Sequence, residues 1–500
     1  MAEGFTLREA TIADIHAAYK SGALTARKLV EAYLDRIERY DRGGPKINAL
    51  ISLNPRALEE ADRLDAAFHA SGFVGPLHGI PIVVKDQADV KEMPTTLGSV
   101  LFKDHRPERD CFVAAKMRAA GAIFLGKGTL GELGAGDTHG SLFGSTRNPY
   151  DLDRTVGGSS GGPATCVSAN FATVAVGQEG LASIRRPAIW TAITGMRPST
   201  GLVSRSGVYG GWPTTNGSLG PMARTVTDLA ITLDAMVGYD PEDPVTAHGV
   251  GKAPKSYAAL LDNNALRGAR IGILREPMGL NSDSNAEDFI LTTKLFDEAI
   301  AELKDCGAVI VDPVAIADLN PLLAKRTFGT PEGDEAIKLY FAGSKNPPPF
   351  RSREEAMASP LFDQLLKPTK ERWTRVQPAG PAVTERQLAS LKARDLLLTN
   401  MLKTMADHRL DAIVHKAVEH LPTLIAEGVN PPFTEQKGAS HLNTYLEIVP
   451  SVVVPAAFTP AGLPTGITFL GRPYADAEML RFAYAYEQAT QHRRVPTTTP

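Results

Sequence analysis

Residues 155–187 read TVGGSSGGPATCVSANFATVAVGQEGLASIRRP, and this stretch decides how the rest of the chain is read. Glycines flank two adjacent serines, Ser159 and Ser160. A segment of small residues follows at 163–170, then a β-branched apolar run at 172–176. A third serine, Ser183, lies twenty-four residues beyond Ser159, inside GLASIRRP. The succession of loop, short helix, strand and second loop predicts that both serine loops meet at one edge of a sheet.

Working outward, the same texture recurs. Residues 78–86, HGIPIVVKD, read as a short apolar strand that ends in Lys85. Residues 109–120 read as an amphipathic helix and 122–125 as a buried strand. Helix, glycine and β-branched strand return at 289–306, Gly307 and 308–311. Further strands are predicted at 270–274, 412–414, 451–454 and 465–470, and helices at 225–236, 384–408 and 475–491. Nearer the N-terminus, Thr11 with Asp14 forms a capping pair for a first helix. Helices from Thr25 and over 55–70 follow, each with one apolar face. This alternation predicts an α/β layer structure around a large mixed, mostly parallel sheet with helices on both faces. Residues 313–383 break the rhythm with proline and charge, and read as helices and loops inserted over one rim of the sheet.

The bulk properties narrow the function. A chain of 500 residues exceeds the ~250–300 that one core usually holds, so length alone suggests two or more domains. The net charge of −3 gives no sign of a nucleic-acid or membrane-surface partner. Cys111, Cys166 and Cys306 are too few and too scattered for a disulfide framework or a metal cluster. No apolar run approaches the ~20 residues that span a bilayer, and the opening residues lack a secretory pattern. A cytoplasmic protein is expected.

Three glycine motifs resemble phosphate loops and fail on detail. In residues 121–129, GAIFLGKGT, Gly128 stands where a Walker loop needs serine or threonine directly after the lysine. Gly134 and Gly136 lack a third glycine in register. GGSSGG could cradle an anion at a helix start, but no lysine or acidic partner is placed for a nucleotide. The serines are the stronger signal. A serine attacks only when a base takes its proton. His78, His139 and His415 lie in unlike contexts with no nucleophile elbow, so a histidine triad is not expected. Lys85 could serve as base if burial holds it neutral. Its alternative is an ordinary lysine at a strand end, reaching for solvent. The residues alone leave these two readings even.

HGIPIVVKD, GGSSGG, the Ser183 run and GLPTGITFLGRP at 462–473 together resemble the amidase signature family. The likeness runs from about residue 8 to 493 and weakens over 240–440. It implies one α/β/α domain over residues 1–500, which overrides the count from length, and a Ser–cis-Ser–Lys triad that needs no cofactor and no metal. On that resemblance Ser183 is the nucleophile and Ser159, after a cis peptide, the bridging serine. Lys85 is the base, with Ser160 as an accessory hydroxyl. The backbone of Gly180, Leu181 and Ala182 would form the oxyanion hole.

The sequence departs from the family at one loop. The usual G-T-D-x-G-G-S is here Gly177-Gln178-Glu179-Gly180-Leu181-Ala182-Ser183. A left-handed backbone at 181 or 182 would strain these side chains. Glu179 is expected to pair with Arg185. Arg186 matches a carboxylate-binding position of one branch, or is a structural ion pair. Leu133, Phe143, Trp190, Tyr209 and Trp212 are candidate apolar walls, and Phe328, Phe341 and Trp373 candidate caps; each is equally well core or surface packing. The expected activity is hydrolysis of neutral amides, anilides or carbamates by a monomer or homodimer, with urethanases and aryl acylamidases as the nearest pattern. Two alternatives stand beside it: the amidase subunit of a tRNA-dependent amidotransferase, and a non-catalytic relic of the fold.

Overall fold

The computed structural model describes residues 5–211, 214, 217–327, 331–342, 350–375, 380–440 and 442–500, without the side chains of 331–333, 443 and 444. Eleven strands build the central sheet. In chain order they are β1 (Leu50–Leu53), β2 (Pro81–Lys85), β3 (Ile123–Gly128), β4 (Val174–Glu179), β5 (Thr194–Arg197), β6 (Ser218–Ala223), β7 (Arg270–Leu274), β8 (Val309–Val314), β9 (Ala412–Lys416), β10 (Ser451–Phe458) and β11 (Pro464–Leu470). Across the sheet they run β1-β3-β2-β4-β6-β5-β10-β11-β9-β7-β8.

The sheet is mixed. Parallel ladders form its two wings, β3-β2-β4 on one side and β9-β7-β8 on the other. Between them, from β4 through β6, β5, β10 and β11 to β9, neighbouring strands are antiparallel. The strands whose apolar runs the sequence made plain are those of the wings together with β10 and β11. Every residue of β2 and β3 is buried, as a strand covered on both faces requires. Strands β5 and β6 escaped the sequence reading because they carry Gly195, Gly220 and Pro221, which weaken the strand signal, and the four-residue β1 escaped it too.

Helices cover this sheet in two packs. Gly161–Ser168 and Arg185–Trp190 pack on each other and on the central strands. Val226–Met236, Glu287–Asp305 and Asp476–Thr490 form the other pack. The Thr11 capping box is present, with Asp14 answering it. The irregular region starts two residues later than expected, because residues 313 and 314 complete β8. Its helices include Leu319–Leu323, Pro331–Ala342 and Lys367–Thr374, and the long helix Pro381–Asp407 follows. Among the described residues, no helix is long and apolar enough to cross a membrane.

Register places the chemistry. Val84 of β2 pairs with Val176 of β4, so Lys85 leaves the ladder beside Gly177 and Gln178. Helix Gly161–Ser168 is wholly buried and starts directly after Ser160. It lies close to the sheet because glycine permits it. A Cβ on Gly162 would stand 2.3 Å from the Thr129 amide nitrogen and 2.5 Å from its carbonyl oxygen. Gly162→Ala must therefore push the serine-loop helix off the strand. The expected result is a loss of about 1–3 kcal/mol in a denaturant titration, with a parallel fall in turnover.

Candidate active site

Three side chains, one from the end of β2 and two from the serine loops, form one chain of contacts. Lys85 Nζ lies 2.7 Å from Ser159 Oγ. Ser159 Oγ lies 2.9 Å from Ser183 Oγ. The Gly158–Ser159 peptide bond is cis. All three residues are buried, and Ser183, at 8 % exposure, is the most open.

The loop Gly131–Gly134 grips Ser159 from both ends. The Gly131 N–H donates to the Ser159 carbonyl at 3.0 Å. The Ser159 hydroxyl lies 2.8 Å from the Gly134 carbonyl. Lys85 has two further neighbours, the Gln178 carbonyl at 3.1 Å and Gln178 Oε1 at 3.4 Å. Burial pushes the Lys85 amine down to about 7, against a small opposing pull from the Glu179 carboxylate. A neutral amine has two N–H groups and one lone pair. In the neutral form the two N–H groups can go to the Gln178 oxygens, which leaves the lone pair for the Ser159 hydroxyl. Such a chain can pass a proton from Ser183 through Ser159 to Lys85 and return it.

Ser160 does not touch Lys85 directly. Its hydroxyl lies 3.0 Å from the Gln178 carbonyl that Lys85 shares, and receives the Gln178 N–H at 3.1 Å. The loop that carries Ser183 is tied from below by Glu179. That carboxylate accepts the Ile184 N–H at 2.9 Å, the Arg185 N–H at 3.1 Å and Arg185 Nε at 2.7 Å. Longer by one methylene than aspartate, Glu179 still makes the expected pair with Arg185. Neither Leu181 nor Ala182 has a positive φ, so the glycine-to-side-chain changes carry no left-handed strain. Both side chains pack with Ala439 and Leu280.

The candidate walls divide. Leu133 precedes Gly134, and the Tyr209 backbone exchanges hydrogen bonds with Gln87, two residues past Lys85. Both belong to an apolar cluster with Phe102, Ile337, Phe341, Phe350, Leu365 and Trp373. The region after β8 therefore rests on the rim through Phe341 and Trp373. Trp190 is not a wall. It is fully buried, its ring under Gly157 and its Nε1 donating to the His420 carbonyl at 3.1 Å. Arg186 is also withdrawn from any substrate. It pairs with Asp137, donates to the Gly158 carbonyl at 3.2 Å and stacks on Trp190 at 4.9 Å. Its place beneath the cis bond is structural. Phe143 packs against Gly98 and Gly140. Trp212 and Phe328 lie outside the described residues.

Sequence reasoning missed several contributors. The Gly134 carbonyl and the Gln178 side chain leave no motif. Lys127, the lysine of the failed Walker motif, is buried 3.1 Å from Asp86 and braces the residue after Lys85. His139 meets Ser145, and His415 meets the Lys416 carbonyl; among the described residues neither bonds to Ser159 or Ser183.

Comparison with known proteins identifies the family. The sequence profile described as Amidase matches residues 28–480. The chain belongs to the amidase signature family. The native peptide amidase from Stenotrophomonas maltophilia superposes with a TM-score of 0.86 at 32% identity, over 98% of this chain and 99% of that one. A glutamyl-tRNA(Gln) amidotransferase subunit from Methanosarcina barkeri is 32% identical over 486 residues, 94% of each chain. A probable amidase from Arabidopsis thaliana is 31% identical over 520 residues, covering 98% of this chain and 92% of the relative.

The state of Lys85 sets a pH dependence. If the neutral amine is the active form, kcat/KM rises with unit slope through about pH 7 and then levels. Stability has a definite sign as well. The unfolded chain keeps this amine protonated up to about 10.5, whereas the native state releases the proton near 7. Between those values the unfolded state binds more protons, so Lys85 makes native stability rise with pH across that window. Lys85→Met removes this part of the slope, which paired denaturant titrations at pH 7 and 10 measure.

Proposed function

We propose that the protein is a metal-independent serine amidohydrolase that cleaves the C–N bond of linear neutral amides, anilides or carbamates. The observation that carries the reading is the continuous contact from Lys85 Nζ through Ser159 Oγ to Ser183 Oγ. Ser183 attacks the carbonyl carbon as its proton moves to Ser159 and the Ser159 proton moves to Lys85. The tetrahedral oxyanion lies against backbone amides of residues 180–182. The relay then runs in reverse and protonates the leaving nitrogen, the demanding step in amide cleavage. Water hydrolyses the Ser183 ester by the same relay. Leu181, Leu133 and Tyr209 give the acyl side an apolar neighbourhood, which favours uncharged substrates. The peptide amidase likeness adds amides of peptide derivatives to the candidates.

A second reading has its own support, in relatives named as amidotransferase subunits that match over nearly the whole chain. In that reading the same relay releases ammonia from an amide donor for a partner. Glutaminase activity that arises only with a partner subunit would favour it.

Turnover by the isolated chain across aliphatic amides, anilides, aryl esters and carbamates favours the hydrolase. Ser183→Ala is expected to abolish amide and ester turnover while the unfolding midpoint stays in place. Lys85→Ala costs nearly as much, because relay members act as a unit. A fluorophosphonate probe should label Ser183 in the wild type and nothing in Ser183→Ala. Unreduced turnover by Ser183→Ala rejects the reading.

A further inference from the structure

The loop before the nucleophile has its carbonyls tied in succession. The Gly180 carbonyl accepts Arg326 Nη2 at 2.7 Å. The Leu181 carbonyl accepts Arg185 Nη2 at 2.9 Å. The Ala182 carbonyl accepts the Arg186 N–H, and the Ser183 carbonyl the Ser160 N–H, each at 3.0 Å. A trans peptide is planar, and its N–H points opposite to its C=O. Fixing the carbonyl of one residue therefore fixes the direction of the next residue's N–H. Arg326 in this way orients the Leu181 N–H, and Arg185 the Ala182 N–H.

Arg326 is the unexpected member. It does not belong to the serine loops. It comes from the region after β8, where the family likeness is weak, three residues past the helix Leu319–Leu323. Leu319 and Leu323 anchor that helix in a core cluster with Leu274 and Val314. The Arg326 N–H closes on the Leu323 carbonyl at 3.1 Å. A rigid element thus delivers the guanidinium. Its electrostatic neighbours include Arg197, Glu447, Tyr445 and Glu179, and burial lowers it only to about 10, so it stays charged at neutral pH. A charged donor on a carbonyl also polarises the whole peptide unit, which makes the N–H at its far end a stronger donor.

We propose that Arg326 is a positioning residue for oxyanion stabilisation: by clamping the Gly180 carbonyl it holds and polarises the amide of Leu181, doing for a Leu-Ala loop what local backbone geometry does for a glycine pair. The inference rests on the amidohydrolase reading and adds a residue to it. It also gives the region after β8 a second task besides covering the rim, since one of its side chains reaches the backbone beside the nucleophile.

The experiment compares wild type, Arg326→Ala and Arg326→Lys on one activated anilide and on an aldehyde or boronate built on the same acyl group. An oxyanion donor is typically worth about 10²–10³ in rate, and loss of its support should cost part of that, about 10–10² in kcat, with KM changed less than about threefold. Affinity for the aldehyde or boronate should fall by the same factor as kcat. Affinity for the unreactive ground-state amide should not. Millimolar guanidinium should restore part of the Arg326→Ala rate and leave Arg326→Lys unaffected. A structural role would instead lower the unfolding midpoint and the active fraction, leaving kcat per labelled Ser183 unchanged. That result overturns the proposal, as does an effect confined to KM. If Arg326→Ala does not fold, Arg326→Lys supplies the same comparison. A wild-type enzyme with no turnover and no labelling of Ser183 would reject the amidohydrolase reading itself, a different outcome from a fully active wild type with an equally active Arg326→Ala.

Discussion

Everything at this site depends on one buried amine. Lys85 sits at the end of a strand whose residues are all covered, with two oxygens of Gln178 on one side and a hydroxyl on the other. Water would keep it charged and useless as a base. The interior removes the water, and the cost of holding a charge there brings the amine into the range where it can accept a proton. The carboxylate that pulls against this, Glu179, is already committed to Arg185 and to two backbone amides. The fold therefore keeps a carboxylate near the lysine without letting it form an ion pair there.

The remaining architecture serves geometry. Parallel pairing of β2 with β3 and β4 puts the lysine beside the loop after β4. The buried helix Gly161–Ser168 holds the first serine loop down on the sheet. Arg186 with Asp137 supports the Gly158 carbonyl from beneath, and Gly131 with Gly134 fastens Ser159 from the side. Arg185 and Arg326 do the same for the loop that carries Ser183. Ser183 retains little exposure of its own, so the proposed relay would work in a poorly hydrated setting where fixed dipoles act strongly.

Much of this could be read from the chain. Glycine-flanked serines and a lysine closing an apolar strand are local patterns, and the relay residues stand in them. Most strands of the wings, such as β2 and β3, were legible because strands covered on both faces are continuous apolar runs. In the antiparallel centre β10 and β11 were legible too, whereas β5 and β6 hide behind glycine and proline. For Arg186 the family likeness left carboxylate binding beside a structural ion pair, and Trp190 could be wall or core; the two stack on each other below the serine loop. A sequence gives residue type but not the side of a loop on which a side chain falls. Gln178 and Arg326 were invisible for another reason. One acts through a side-chain oxygen at a position the family fills differently. The other joins its target across 146 residues, with no pattern to link them.

The most direct test of the account is the protonation state of Lys85 in the resting protein. Nitrogen-15 NMR of the lysine side-chain amines, with Lys85 assigned by its loss in Lys85→Met, reads that state without substrate or turnover. The account predicts a resonance that titrates with a midpoint near 7, more than three pH units below an ordinary lysine at 10.5. A Lys85 amine that remains an ammonium up to pH 10 would contradict it.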